Sequence, residues 1–233
     1  MAMHGSSLGL LALVLLAFPP VAARAADCGS LASPKLDWQD CTKKNLMLQG
    51  SDLEGANLVG TDFSLTDLAG ANVKSANLEK ATLVRASLEG AHAEGANFAK
   101  IEAYRSNFAN IIAEGASFAG AELQRANFAG ARLAGASFEK AELGRADFDK
   151  AVLTAAKFSF ANLSRADLSG ATFETTPMFD RAFMFLTRIE GLDLSAATGL
   201  EQAQIDLACG DASTKLPAGL SAPTTWPCPA EHQ

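Results

Sequence analysis

Between residues 51 and 175 the chain repeats a five-residue unit, A-(N/D/S)-(L/F)-x-x, without a break in register. Every fifth residue from 53 to 173 is a candidate inward position. Leu or Phe fills 21 of these 25 positions, the exceptions being Val73, Ala93, Ala103 and Ala113. Two residues earlier in each unit, Ala fills 19 of 25. Neither the 3.6-residue period of a helix nor the alternation of a strand produces a strict period of five. A solenoid does, if each unit forms one flat side and turns one corner.

Units such as Ala56-Asn57-Leu58-Val59-Gly60, Ala126-Asn127-Phe128-Ala129-Gly130 and Ala166-Asp167-Leu168-Ser169-Gly170 carry a specific likeness. In them the chain resembles the pentapeptide repeat family. The resemblance implies an all-β solenoid, a right-handed quadrilateral β-helix with four units per coil. The central Leu/Phe and the small residue two before it then point inward, and the other three positions face solvent or the corners.

A 20-residue coil makes residues 20 apart stack in columns about 4.8 Å apart. One column reads Leu58, Leu78, Phe98, Phe118, Phe138, Phe158; the opposite one reads Leu48, Leu68, Leu88, Phe108, Phe128, Phe148, Leu168. The walls between hold the smaller residues, including Ala93, Ala103 and Ala113. Large side chains on two walls are thus offset by small ones on the other two, as a close-packed core of fixed cross-section requires. The five-residue period alone does not demand this, so the sequence itself supports the coil. About six coils at roughly 4.8 Å give a rod near 30 Å long.

The ends differ from the rod. Residues 8–18 are apolar, followed by Pro19-Pro20 and Ala23-Arg24-Ala25, a small-x-small cleavage pattern. The run is too short to span a bilayer and reads as a secretory signal peptide over residues 1–25. No later stretch approaches the length of a transmembrane helix, so no membrane span is expected after cleavage. Residues 26–45 are then an N-terminal cap, 46–175 the β-helix, and 176–233 a C-terminal cap and tail. Regularity is expected to end at Pro177. Thr198-Gly199-Leu200-Glu201 has capping-box spacing, which predicts a short helix over residues 202–208. Such ends would cover the unpaired backbone that a stack of coils exposes.

Four cysteines bracket the repeats, and an even number in an exported chain points to disulfides. The two ends of a rigid rod are too far apart for a bond needing Cα atoms within about 7 Å. The pairing predicted is therefore Cys28–Cys41 and Cys209–Cys228. The gaps do not suit zinc.

The residue inventory argues against catalysis. His92 is the only histidine between the leader and the C-terminus, at an outward position, and no nucleophile or phosphate-loop motif accompanies it. The sequence implies neither a cofactor nor a metal. A more informative surface feature is the column Arg85, Arg105, Arg125, Arg145, Arg165 along one edge, with Glu102, Glu122, Glu142 and Tyr104 on the same face and Lys80, Lys100, Lys140 in the neighbouring column. Two readings stand open: a Glu/Arg ladder that neutralises itself through weak surface pairs, or a docking stripe for an anionic partner, with Tyr104 as an anchor.

The chain carries a net charge of −7, which becomes −8 once Arg24 leaves with the signal, and no nucleic acid is expected as a partner. The function expected is a non-enzymatic, periplasmic or secreted scaffold that binds a protein or envelope component through a flat face. Some proteins of the resembled family are acidic rods that imitate DNA and protect DNA gyrase, so a topoisomerase-directed mimic is one alternative. A purely structural rod, monomeric or dimerising end to end, is the other.

Overall fold

A computed structural model describes Met1, residues 26–173, residue 175 and residues 177–229. Met1 aside, the leader expected over residues 1–25 lies outside the described residues. Each five-residue unit makes one extended step and one corner. In the step, Phe118 N–H donates to the Ser137 carbonyl of the following coil at 2.7 Å, and Ser117 N–H reaches back to Ala96 at 3.0 Å. At the corner, Ala121 N–H donates to the Phe118 carbonyl at 3.1 Å, and Gly120 between them has φ +63°. A positive φ at the third residue is the type II turn pattern. Because the turn takes the same position in each unit, the chain closes a square coil every 20 residues.

Parallel bridges hold the coils in register. One column runs Asp37, Asn57, Asn77, Asn97, Ser117, Ser137, Lys157, Met178, Thr198. Its eight spacings, at about 4.8 Å each, make a rod of roughly 40 Å, longer than the 30 Å expected from the sequence.

The difference comes from both ends, where coil pairing exceeds the boundaries of 46 and 175. Bridges begin at Asp37 and extend to Lys215. At the front, Trp38 and Lys43 continue the inward positions backward from Leu48 in steps of five, and both are buried. At the back, one extra residue lengthens the spacing to 21 at Lys157–Met178, Asn162–Phe183 and Asp167–Arg188. The extra residue falls in the corner segment around Pro177. Inward positions then resume every five residues as Phe179, Met184, Ile189 and Leu194, all buried. A corner residue makes no bridge, so an insertion there shifts the phase without breaking the ladder.

The two phenylalanine columns meet across the interior. Phe98, Phe118, Phe138, Phe158 and Phe179 stack with centroids 4.8, 5.0, 5.2 and 5.3 Å apart and planes within 8° of parallel. Phe108, Phe128 and Phe148 stack at 4.9 and 5.1 Å on the opposite wall. Between walls the rings meet edge to face, at 5.6 Å for Phe118 and Phe128. Each interior ring therefore has both favourable aromatic geometries at once.

The terminal segments lie against the outermost coils. Cys28–Cys41 spans 5.5 Å between Cα atoms and Cys209–Cys228 spans 5.4 Å, the pairing expected from the rod. At the N-terminal opening the Lys43 ammonium sits 3.6 Å from the centroid of the Trp38 ring and donates to the Cys28 carbonyl at 2.8 Å. Burial lowers its pKa, partly countered by Asp27. An inward-pointing charge at a sheet end discourages further strand stacking.

At the other end the helix expected over residues 202–208 is a single turn, α1 (Gln202–Ile205). Its capping contact is Glu201 N–H to Gln204 Oε1 at 2.7 Å, not the expected Thr198–Glu201 pair. The buried Gln204 amide donates to the Phe179 and Ala182 carbonyls at 2.8 and 2.9 Å; the Ala182 carbonyl stands where a following coil would otherwise donate, and the Phe179 carbonyl also accepts the corner N–H of Ala182. Trp226 donates to the Ala208 carbonyl at 2.7 Å. Its ring lies so close over Gly210 that a Cβ there would meet ring carbon at 2.4 Å.

Candidate interaction face

The side of the rod built from residues 80–85, 100–105, 120–125, 140–145, 160–165 and 181–186 holds every residue of the sequence-predicted stripe. Its outward bridge positions are Thr82, Glu102, Glu122, Glu142, Asn162 and Phe183, paired coil to coil. One border is the corner column Lys80, Lys100, Gly120, Lys140, Phe160, Arg181, with the phase step before Arg181. The other is Arg85, Arg105, Arg125, Arg145, Arg165, ending in Leu186. This side carries 9 of the 19 basic side chains and 3 of the 26 acidic ones, so it stands at +6 and the rest of the chain at −13. The net acidity of the protein conceals a basic face.

All five arginines are exposed, with φ between +55° and +59°. The left-handed region costs an ordinary residue about 1–2 kcal/mol, whereas glycine enters it freely. Glycine is what the equivalent corners use at Gly50, Gly70, Gly90 and at Gly95, Gly115, Gly135. The sequence shows the arginine column but not that it occupies the same strained corner.

The Glu/Arg ladder does not form as contacts. Among the described residues, no arginine of the column has a carboxylate within 4.0 Å, and the three glutamates make no ion pair. Glu142 accepts instead from Asn162 Nδ2 at 2.8 Å. Elsewhere on the rod, ion pairs do link adjacent coils: Lys74–Glu94 at 3.0 Å, Arg132–Glu114 at 2.7 Å and Arg188–Asp167 at 2.9 Å. Cross-coil pairing is therefore within reach of this geometry, and the arginine column does not use it. Two of its guanidiniums lie over aromatic rings, Arg105 at 5.2 Å from the Tyr104 centroid and Arg165 at 5.9 Å from that of Phe185.

The C-terminal end of the face holds features that sequence reasoning missed. Phe160 is 51% exposed at a corner with φ +60°, under the Arg181 guanidinium at 5.6 Å. Phe183 and Phe185 are 51% and 40% exposed, their rings 12° from parallel with centroids 6.4 Å apart. A cleft of about 390 Å³ lies between Lys100, Gly120, Lys140 and Phe160, floored by Ala119 and walled by Glu139. Phe160 was legible as a break in a Gly/Lys corner column. Phe183 and Phe185 were hidden by the one-residue phase step. His92 is exposed on another face, as its position in the unit requires.

The pattern called "Pentapeptide repeats" matches in eight copies, over residues 48–83, 104–139 and 131–170. The chain belongs to the pentapeptide repeat family. Its members fold as right-handed quadrilateral β-helices and are generally structural or interaction scaffolds.

Solved pentapeptide repeat structures share the fold. HetL, a pentapeptide repeat protein involved in heterocyst differentiation regulation from the cyanobacterium Nostoc sp. strain PCC 7120, superposes with TM-score 0.52 at 22% identity, covering 83% of this chain and 88% of its own. Full-length QnrB1, a plasmid-mediated fluoroquinolone resistance protein, gives 0.58 at 12% identity over 78% and 91%. A trypsin-treated variant of QnrB1 gives 0.56 at 17% over 81% and 92%. No curated protein matches by sequence. Among the described residues, no helix of this pentapeptide repeat protein is long and apolar enough to cross a membrane.

Proposed function

We propose that this pentapeptide repeat protein is an exported, non-enzymatic scaffold that docks a protein or envelope component on its basic face. The observation that carries the reading is the arginine column: five exposed arginines in successive coils, without carboxylate partners among the described residues, at corners where glycine would sit without strain. Neighbouring like charges one coil apart repel by roughly 1 kcal/mol even in water. The column is thus unfavourable both electrostatically and conformationally in the free protein, and an anionic partner would relieve the first cost. Two disulfides suit an oxidising compartment. The contacts of Lys43, Gln204 and Trp226 at the rod ends act as caps, leaving the sides as the available surface.

The test is capture from the exported fraction with the mature chain, beside Arg105→Glu/Arg125→Glu/Arg145→Glu and a control reversed on another face, Lys74→Glu/Arg132→Glu. Partners should be lost from the first variant and kept by the second. Retention by both would overturn the assignment of the face.

A second reading rests on the charge of −13 outside this face, which suits an acidic rod imitating duplex DNA on a topoisomerase. Supercoiling by DNA gyrase that is unchanged by the purified protein would dismiss it.

A further inference from the structure

Resting on the reading that the basic face docks a partner, we propose that its ligand is a linear, carboxylate-bearing polysaccharide lying along the arginine column parallel to the rod. Three features select this chemistry. First, the backbone positions of the arginines recur at the coil spacing of about 4.8 Å, which puts their guanidiniums in a row within reach of one linear anion. A 1,4-linked uronate chain offers one carboxylate per ring, and because successive rings turn over along the chain, the carboxylates on one side fall opposite about every second arginine. The guanidinium fork is well matched to a carboxylate.

Second, flat aromatic surfaces flank the column: Tyr104 beside Arg105, and the parallel, half-exposed rings of Phe183 and Phe185 where the column ends. Such rings stack against the apolar C–H face of a sugar. Third, the alternatives fit less well. An extended acidic peptide gains much of its affinity by adding a strand to a sheet edge, and along the sides of this rod the backbone is already paired coil to coil. A planar anionic membrane would press on the central Glu102, Glu122, Glu142 ladder, which a linear chain following one border leaves in water.

The experiment is calorimetric titration of the disulfide-intact protein at low salt with polygalacturonate and with oligogalacturonates of graded length. Poly-L-glutamate at equal carboxylate concentration, neutral dextran and phosphatidylglycerol vesicles serve as comparators. Polygalacturonate is expected to bind at least tenfold tighter than polyglutamate, and dextran not at all. Affinity should rise with length to about five sugars, the span of the arginine column at one strand spacing per coil, and then level off.

Arg105→Glu/Arg125→Glu/Arg145→Glu should weaken binding at least a hundredfold. Phe183→Ala/Phe185→Ala should weaken it at least fivefold with unchanged thermal unfolding. Equal binding of polyglutamate, binding of vesicles without polygalacturonate, or no binding of polygalacturonate overturns the sugar assignment. If polyglutamate or vesicle binding is still abolished by the triple reversal, the face survives as a docking surface for another anion. Polygalacturonate binding that survives the triple reversal removes the arginine column from both proposals.

Discussion

Phe118 is the ring on which the packing account bears most heavily. It is fully buried, stacked on Phe98 at 4.8 Å and Phe138 at 5.0 Å, and meets Phe108 and Phe128 edge to face at 5.9 and 5.6 Å. Phe→Ala in a core costs about 3–5 kcal/mol, less where the surroundings collapse into the space. Collapse is difficult here, because bridges fix the coils above and below at one strand spacing and the facing wall is itself a ring column. Phe118→Ala is therefore expected at the upper end, about 5 kcal/mol. Phe118→Leu should cost only about 1.5 kcal/mol or less, since Leu58 and Leu78 already occupy the same column. Equilibrium denaturation in guanidinium chloride, analysed for transition midpoint and slope, measures both. A cost below about 2 kcal/mol for Phe118→Ala, with unchanged slope, would refute a rigid square interior.

Other expectations follow from the corners and ends. Replacing Arg105, Arg125 and Arg145 together by Gly removes the left-handed strain but adds unfolded-state entropy, terms of about 1 kcal/mol each and opposite sign. Thermal unfolding should move little, while partner binding is lost; a large loss of stability would show that the column is structural. Selective loss of Cys209–Cys228 by Cys→Ser exchange should cost the C-terminal end about 3 kcal/mol and free Trp226 from Gly210, read as faster hydrogen exchange at residues 209–229 with the central coils unchanged.

Acid should act on the same end. Asp193 is held down to about 2 by hydrogen bonds from Lys215 and Ser195, and Asp211 to about 2 chiefly by Ser213. A carboxylate depressed in the folded state stabilises it above its unfolded value near 4 and stops doing so as pH falls through about 2. Exchange at residues 211–229, corrected for intrinsic rates, should stay flat from about pH 7 to 4 and quicken toward 2. A release centred at about pH 5 would contradict this.

Much of the architecture was legible because the repeat is strict. Leu/Phe at every fifth residue set the inward positions, and sorting by 20 placed Phe118 above Phe98 and opposite Phe128. The disulfide pairing followed from rod length alone. The extent of the rod was not legible: one residue added near Pro177 moves Phe179 and Met184 out of the register a fixed period searches, though it leaves the ladder intact. At the front, Lys43 has the wrong polarity for an inward position until Trp38 and the Cys28 carbonyl are seen around it. The arginine column was visible, but its lack of contact with Glu102, Glu122 and Glu142 was not. Spacing places them on one face, whereas side-chain direction decides whether they touch.

The most direct test of the basic face is arginine-selective labelling with phenylglyoxal, quantified residue by residue by mass spectrometry, with and without captured partner. Arg85, Arg105, Arg125, Arg145 and Arg165 are expected to become protected together while Arg132, on another face, labels as before. Protection of Arg132 instead, or unchanged labelling of the column in the bound state, would contradict the account.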